Sequence, residues 1–184
     1  MLELVTAVAT EPVTLAEAKL HLRVDSGTHP DDNLITALIS VAREAAEHQT
    51  GRSLAAQTWK LHADCFGELE LERPPVTSVT WVKYYDATNT QQTLSSTVYY
   101  VDYADTIPEI KLAYGQVWPV LYPRDDTVSV QYVTGYTTIP PCAKQWILCM
   151  IGALYENREL VSERGVISLG FLDRLLDPVR ILTA

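Results

Sequence analysis

Pro30-Asp-Asp-Asn-Leu-Ile-Thr-Ala-Leu-Ile-Ser-Val-Ala-Arg-Glu-Ala-Ala-Glu-His-Gln-Thr-Gly51 is a helix written out in full. Leu34, Ile35, Leu38, Ile39, Ala42, Ala45 and Ala46 recur at i, i+1, i+4 and i+5, the spacing of one buried helical face. Pro30 suits the first turn, and Asp31 and Asp32 complement the positive end of the helix dipole. Arg43, Glu44, Glu47 and His48 fall on the other side and are expected to meet water, and Gly51 supplies the stop.

Upstream, Leu2 to Val8 reads as an extended start. Thr14-Leu-Ala-Glu17 then fits a capping box and opens a short helix to about Val24, with Leu15, Ala18 and Leu22 on one face. Asp25-Ser-Gly-Thr is a turn.

Downstream the texture changes. Thr58-Trp-Lys-Leu-His, Ser78-Val-Thr-Trp-Val-Lys-Tyr-Tyr and Thr127-Val-Ser-Val-Gln-Tyr-Val alternate with period two and favour β-branched and aromatic residues. Pro74-Pro75, Asp86 to Asn89 and Arg124-Asp-Asp break the runs, and nine of the ten tyrosines lie between Tyr84 and Tyr136. Five or six short strands in a compact antiparallel unit are expected. Pro140-Pro141 open a third helix to about Arg158, apolar nearly all round and so expected to be central and buried. Ser162 to Gly170 reads as a mobile connection. A last helical turn or two follows, with Phe171, Leu172, Leu175, Leu176 and Val179 on one stripe, and Pro178 ends it.

The fold class is therefore α+β: a small α-helical bundle with an inserted antiparallel β unit and a C-terminal arm. The expected parts of this one domain are 1–56 (helical), 57–136 (β unit), 137–161 (central helix) and 162–184 (arm).

The composition excludes several classes. With 184 residues, 47% of them apolar, the chain has enough material for a real core. Its net charge of −9 argues against a protein that grips phosphate by charge. The negative excess precedes residue 137, and acids and bases balance after it. Three cysteines (Cys65, Cys142, Cys149) make no disulfide framework. The longest apolar run, ten residues from Trp146 to Tyr155, is half a membrane span, so no membrane association is expected. Glu3 and Glu11 with no base before Lys19 do not look like a targeting peptide, which leaves a reduced, cytoplasmic, soluble protein as the reading.

Chemistry is hard to find. His62-Ala-Asp-Cys65 pairs good metal ligands but has no second half, and Cys142 and Cys149 lie two helical turns apart, so no metal and no cofactor are expected. Gly165-Val-Ile-Ser-Leu-Gly170 has the wrong spacing for a nucleophile elbow. The Asp31/Asp32 and Asp125/Asp126 pairs suit helix caps and turns better than acid–base catalysis. Trp59, Trp81, Tyr84 and Tyr132 allow a second reading, a module stacking single-stranded nucleic acid on the β insert. Five bases against ten acids in that stretch oppose it. No enzyme is indicated and no catalytic residue is nominated.

The order of motifs is more informative than any one of them. Glu11-Pro-Val-Thr-Leu-Ala-Glu-Ala-Lys-Leu-His-Leu-Arg23 precedes the helix ending Arg43-Glu-Ala-Ala-Glu-His-Gln-Thr-Gly-Arg52. Glu72-Arg-Pro-Pro-Val-Thr-Ser-Val79, Val82-Lys-Tyr-Tyr-Asp86 and Val133-Thr-Gly-Tyr136 follow, then Tyr155-Glu-Asn-Arg-Glu159 and Leu175-Leu-Asp-Pro-Val-Arg180. From Pro12 to Arg180 this succession resembles the tailed-bacteriophage head–tail connector (adaptor or head-completion) proteins, in the branch with a β insert. Val179 departs from the pattern, which expects an aromatic before the final Arg.

The resemblance implies a structural virion protein, assembled from the host cytoplasm. It would form a homo-oligomeric ring, usually twelve-fold, between the portal and a stopper or tail-completion protein. DNA would pass through it without specific binding. The helical part would build subunit contacts, and the C-terminal arm (Phe171, Leu172, Leu175, Leu176, Val179, Arg180) would dock on the portal as a helix-in-groove ligand. The alternative for the arm is that its apolar stripe folds back on the parent bundle. Acids on a polar helix face, Asp31, Asp32, Glu44 and Glu47, are the candidates for lining the DNA channel, where like charge would keep DNA from sticking.

Overall fold

The computed structural model describes residues 1–67, 69–157, 172 and 174–181. The chain divides into two compact units. One combines Met1–Ala9 with Ala56–Gly135, the other Thr10–Ala55 with Tyr136–Ala184. The extended start therefore joins the β unit and not the helical part, because its backbone pairs with the first strand of the insert.

The helical unit holds α1 (Leu15–Leu22), α2 (Asp32–Thr50), α3 (Pro141–Glu156) and a 3-10 helix (Arg174–Val179). Eight residues are too few for α1 to persist alone, so its ends matter. The Thr14 hydroxyl accepts from the Glu17 amide at 3.2 Å, and the Glu17 carboxylate accepts from the Thr14 amide at 3.0 Å. The same carboxylate receives Lys144 Nζ at 2.6 Å, which ties α1 to α3 and holds Glu17 below the ordinary carboxylate range. Gly51 ends α2 at φ 70, in the left-handed region where glycine carries no Cβ penalty.

Ile35, Ile39, Ala42 and Ala46 of α2 pack with Ala143, Trp146, Ile147 and Ile151 of α3 in one core. Each fully buried Ile contributes about 1.5–3 kcal/mol, more than any helix propensity in the unit. One expectation for these helices fails. Arg43 and Glu47, assigned to the wet side of α2, are each only 6% exposed. Their charges neutralise one another, which is what permits burial. α3 is the central helix, with α1, α2 and the 3-10 helix all packed on it; its burial is graded, since Cys142, Leu148, Cys149 and Met150 pack against the same core while only partly buried.

The β unit contains β1 (Leu2–Thr6), β2 (Gln57–Ala63), β3 (Leu69–Glu70), β4 (Val76–Tyr85), β5 (Gln91–Thr93), β6 (Tyr99–Asp102), β7 (Glu109–Leu112) and β8 (Val128–Thr134). Between 57 and 136 the described residues thus form seven strands, not five or six; β3 and β5, of two and three residues, are too short to show a period. β1-β2-β8-β4-β5 make one antiparallel sheet and β3-β7-β6 a second. Leu61, Val82, Val128, Val130 and Tyr132 from the first share a core with Leu69 and Ile110 from the second. The register Leu61↔Val130↔Val82 sets three aliphatic side chains abreast on the inner face. β4 carries two bulges, between Val76 and Ser78 and between Val79 and Trp81.

Candidate functional site

The C-terminal segment lies on the helical unit. Leu172 and Val179 are each 8% exposed and Leu176 is fully buried, all three within the α2–α3 core. Leu175 packs at its edge half-buried. Phe171 lies outside the described residues, as do the connection from Ser162 to Gly170 and the serine motif within it. Arg180 is half-exposed and pairs with Asp177 at 3.5 Å. Beyond the helix, Ile181 N donates to Thr50 O at 2.9 Å, and Arg52 Nε donates to Val179 O at 2.6 Å. The stripe read as a docking ligand is here the fourth wall of its own bundle. Its outward-facing residues are Arg174, Asp177 and Pro178.

The four candidate channel acids are not one surface. Glu47 comes off the surface altogether: its two oxygens accept from Arg43 Nη1 at 2.6 Å and from the Leu54 amide at 2.7 Å. Asp31 accepts from the Tyr155 hydroxyl at 2.6 Å, joining α2 to α3. Asp32 accepts from Lys19 Nζ at 2.7 Å and from the His29 amide at 3.1 Å. The lysine hydrogen bond, then the amide, holds the Asp32 pKa below its ordinary value. Lys19 itself is 3% exposed and also donates to the Gly27 carbonyl, so it clasps the α1–α2 loop from inside. Only Glu44 has a largely exposed carboxylate, and it too reaches Arg43, at 3.2 Å.

Arg43 is the hub of this polar cluster, bonded to Glu11, Glu44 and Glu47. Burial pushes its pKa down, but the carboxylates of Glu47, Glu11 and Glu44 outweigh that and raise it. Sequence periodicity missed Arg43, Glu47 and Lys19, since a buried charge looks like a surface one until its partners are known. One signal was available: Arg43 and Glu47 sit four apart, the spacing of a helical ion pair.

The four aromatics proposed as a stacking platform are divided. Tyr132 is buried, and its hydroxyl donates to Glu72 O at 3.1 Å. Tyr84 meets Phe66 edge-on at 5.8 Å. Trp59 carries the Arg73 guanidinium at 5.3 Å, and Trp81 the Lys83 ammonium at 4.6 Å. Trp81 is in register with Gln131, one residue from Tyr132, so it projects on the opposite face of the sheet.

Catalytic or metal chemistry has little to build on. Among the described residues, no three His, Cys, Asp or Glu side chains are grouped to hold a metal ion. A cleft of about 320 Å³ between α1 and α3 is lined by His21, Leu22, Arg23, Gly152, Tyr155 and Glu156, without Ser, Thr or Cys as nucleophile. Asp125 and Asp126 are exposed in the turn before β8. No helix among the described residues is long and apolar enough to cross a membrane.

The surface does carry one feature that the sequence reading did not single out. The segment from Ala113 to Pro123, between β7 and β8, contains no charged residue and exposes Tyr114, Val117 and Val120.

Comparison with known proteins places these features in context. The family model described as phage gp6-like head-tail connector protein matches residues 12–173. Among curated proteins, none matches. Three similar solved chains come from gene transfer agent particles. One, from the virion of the native particle, has a TM-score of 0.80 at 22% identity. One from the neck of the empty particle, computed with C6 symmetry, scores 0.81 at 22% identity. One from the neck of the native particle, computed with C12 symmetry, scores 0.78 at 19%. Each covers 100% of this chain and 97% of its own. At that identity the likeness is one of fold, and it extends over both units.

Proposed function

The chain belongs to the phage gp6-like head–tail connector proteins, and from that premise we propose that it is a non-catalytic ring subunit of a particle neck, joining the portal to a stopper or tail-completion protein. The family match across both units carries this reading. The C12 symmetry of a neck whose subunit shares the fold supports a twelve-fold ring in the assembled particle.

The portal-docking role of the C-terminal segment takes a specific form. Leu172, Leu176 and Val179 are seated in the bundle, so docking with the same side chains means exchanging one apolar groove for another. Arg174, Asp177, Pro178 and Arg180 are the residues that a partner meets before that exchange. Of the four acids, Glu44, with its largely exposed carboxylate, is the one left to contribute to a channel wall that repels DNA.

Mixing the full chain with its portal and following both by size-exclusion chromatography with light scattering tests the reading. Co-migration at a fixed stoichiometry supports it, and independent elution at all ratios contradicts it. A salt-dependent rise in oligonucleotide affinity at low salt would favour the nucleic-acid reading instead.

A further inference from the structure

The loop between β7 and β8 is anchored at several points and is apolar where a loop is ordinarily polar. Ala113 N donates to Val98 O at 2.9 Å and Gln116 N to Ala113 O at 3.1 Å, which closes a turn over Gly115 at φ 73. Trp118 lies flat on Phe66, with centroids 4.5 Å apart and planes 5° apart. Leu121 bridges to Asp86, and Tyr122 N donates to Tyr85 O at 3.1 Å. Between these anchors Tyr114, Val117 and Val120 are 103%, 82% and 76% exposed. Isolated exposed apolar residues are ordinary, but three within seven residues on a pinned loop form a prepared contact.

A second apolar place exists on the same unit. β1 is an edge strand of the larger sheet, and Leu4 and Val5 on it are each 46% exposed. Its one charge, Glu3, is met by His62 at 3.2 Å and Lys60 at 3.7 Å, so the edge is close to neutral. A free edge offers backbone groups as well as side chains to an incoming segment.

We propose that the 113–123 loop of one copy docks on the β1 edge of a neighbouring copy, as a subunit contact made by the β unit. The choice of occupant rests on the ring reading above and on charge. Copies carrying −9 each repel, and they meet at least cost where both surfaces are uncharged or internally neutralised. A ring requires two different surfaces on every subunit, one giving and one receiving. The loop and the edge are such a pair.

The experiment uses the full chain, wild type and as two double variants, Val117→Asp/Val120→Asp and Leu4→Asp/Val5→Asp, in sedimentation velocity over a concentration series. Wild type associates as concentration rises. Each variant alone associates at least about tenfold more weakly, with unchanged circular dichroism, because the replaced side chains are exposed. An equimolar mixture of the two restores one intact contact and yields a dimer that grows no further. Wild type that stays monomeric throughout, a loop variant that associates like wild type, or a mixture that stays monomeric overturns the proposal. The ring reading fails separately. Loop-dependent association without portal co-migration contradicts the connector assignment alone, and a loop variant that still fills the portal ring contradicts the loop contact alone.

Discussion

Arg52 Nε donates to the Val179 carbonyl at 2.6 Å, fastening the loop after α2 to the last turn of the C-terminal helix. Ile181 completes the fastening from the other side, its amide on Thr50 O and its side chain over Gly51, where an added Cβ would lie 3.6 Å from Ile181 Cδ1. A segment held by backbone bonds, a guanidinium and three core side chains is part of the fold. The docking we propose for it would first have to undo these contacts, an energetic cost that variants can tune.

Arg52→Ala removes a charge-assisted hydrogen bond worth about 1–3 kcal/mol. We expect amide exchange at Ile181 to accelerate by about tenfold or more, with little change in the α2 and α3 amides. Exchange rates that stay at the wild-type level would show that the bond does not hold the segment.

Leu176→Ala empties a fully buried site and should cost about 2–5 kcal/mol in denaturant unfolding. By the same argument, deletion from residue 165 onward uncovers part of the core between α2 and α3, on which the 3-10 helix packs. It should lower the melting temperature, where a free arm would leave it unchanged.

Arg43→Ala leaves the buried Glu47 carboxylate without its counter-charge and is expected to destabilise by about 3–5 kcal/mol. Arg43→Met with Glu47→Leu should be far milder than either charge removed alone, because it takes out both buried charges together. A double-mutant cycle on the full chain measures this coupling.

Acid should unfold the protein along a definite course. Asp86 is held down to about 2 by hydrogen bonds from Thr88, Gln92 and Thr90 in the β4–β5 turn. Lysines likewise lower Glu17 and Asp32. A carboxylate with a depressed folded-state pKa binds fewer protons folded than unfolded, so its contribution is complete above the ordinary value and lost as pH falls through the folded one. For Asp86 that window runs from 3.8 to about 2. Stability should fall steadily through it, and Asp86→Asn should flatten the slope of a stability-against-pH curve there.

The helices and long strands were legible because their signals are local. Thr14 and Glu17 satisfy each other three residues apart, and Gly51 marks its own helix end. β2, β4 and β8 alternate over enough residues to show a period. What stayed hidden depends on distant partners. β1 has no alternation that decides its pairing; it becomes a strand because Leu2 meets Leu61 and Glu3 meets Lys60. Lys19 looks solvated until Gly27 and Asp32 fold over it. The apolar stripe of the C-terminal helix is visible in sequence, but a stripe states only that something covers it. Here the cover is the α2–α3 core of the same chain. The acidic surface is likewise smaller than the carboxylate count implies, since that count does not separate Glu44 from the buried Glu47.

The central claim is that this chain completes a ring on a portal. The most direct measurement is particle imaging of the purified full chain alone and after mixing with its portal. The account predicts a coaxial ring of subunits beneath the portal, with twelve-fold symmetry and an open channel. Portal particles that remain bare at saturating concentrations of the chain would contradict it.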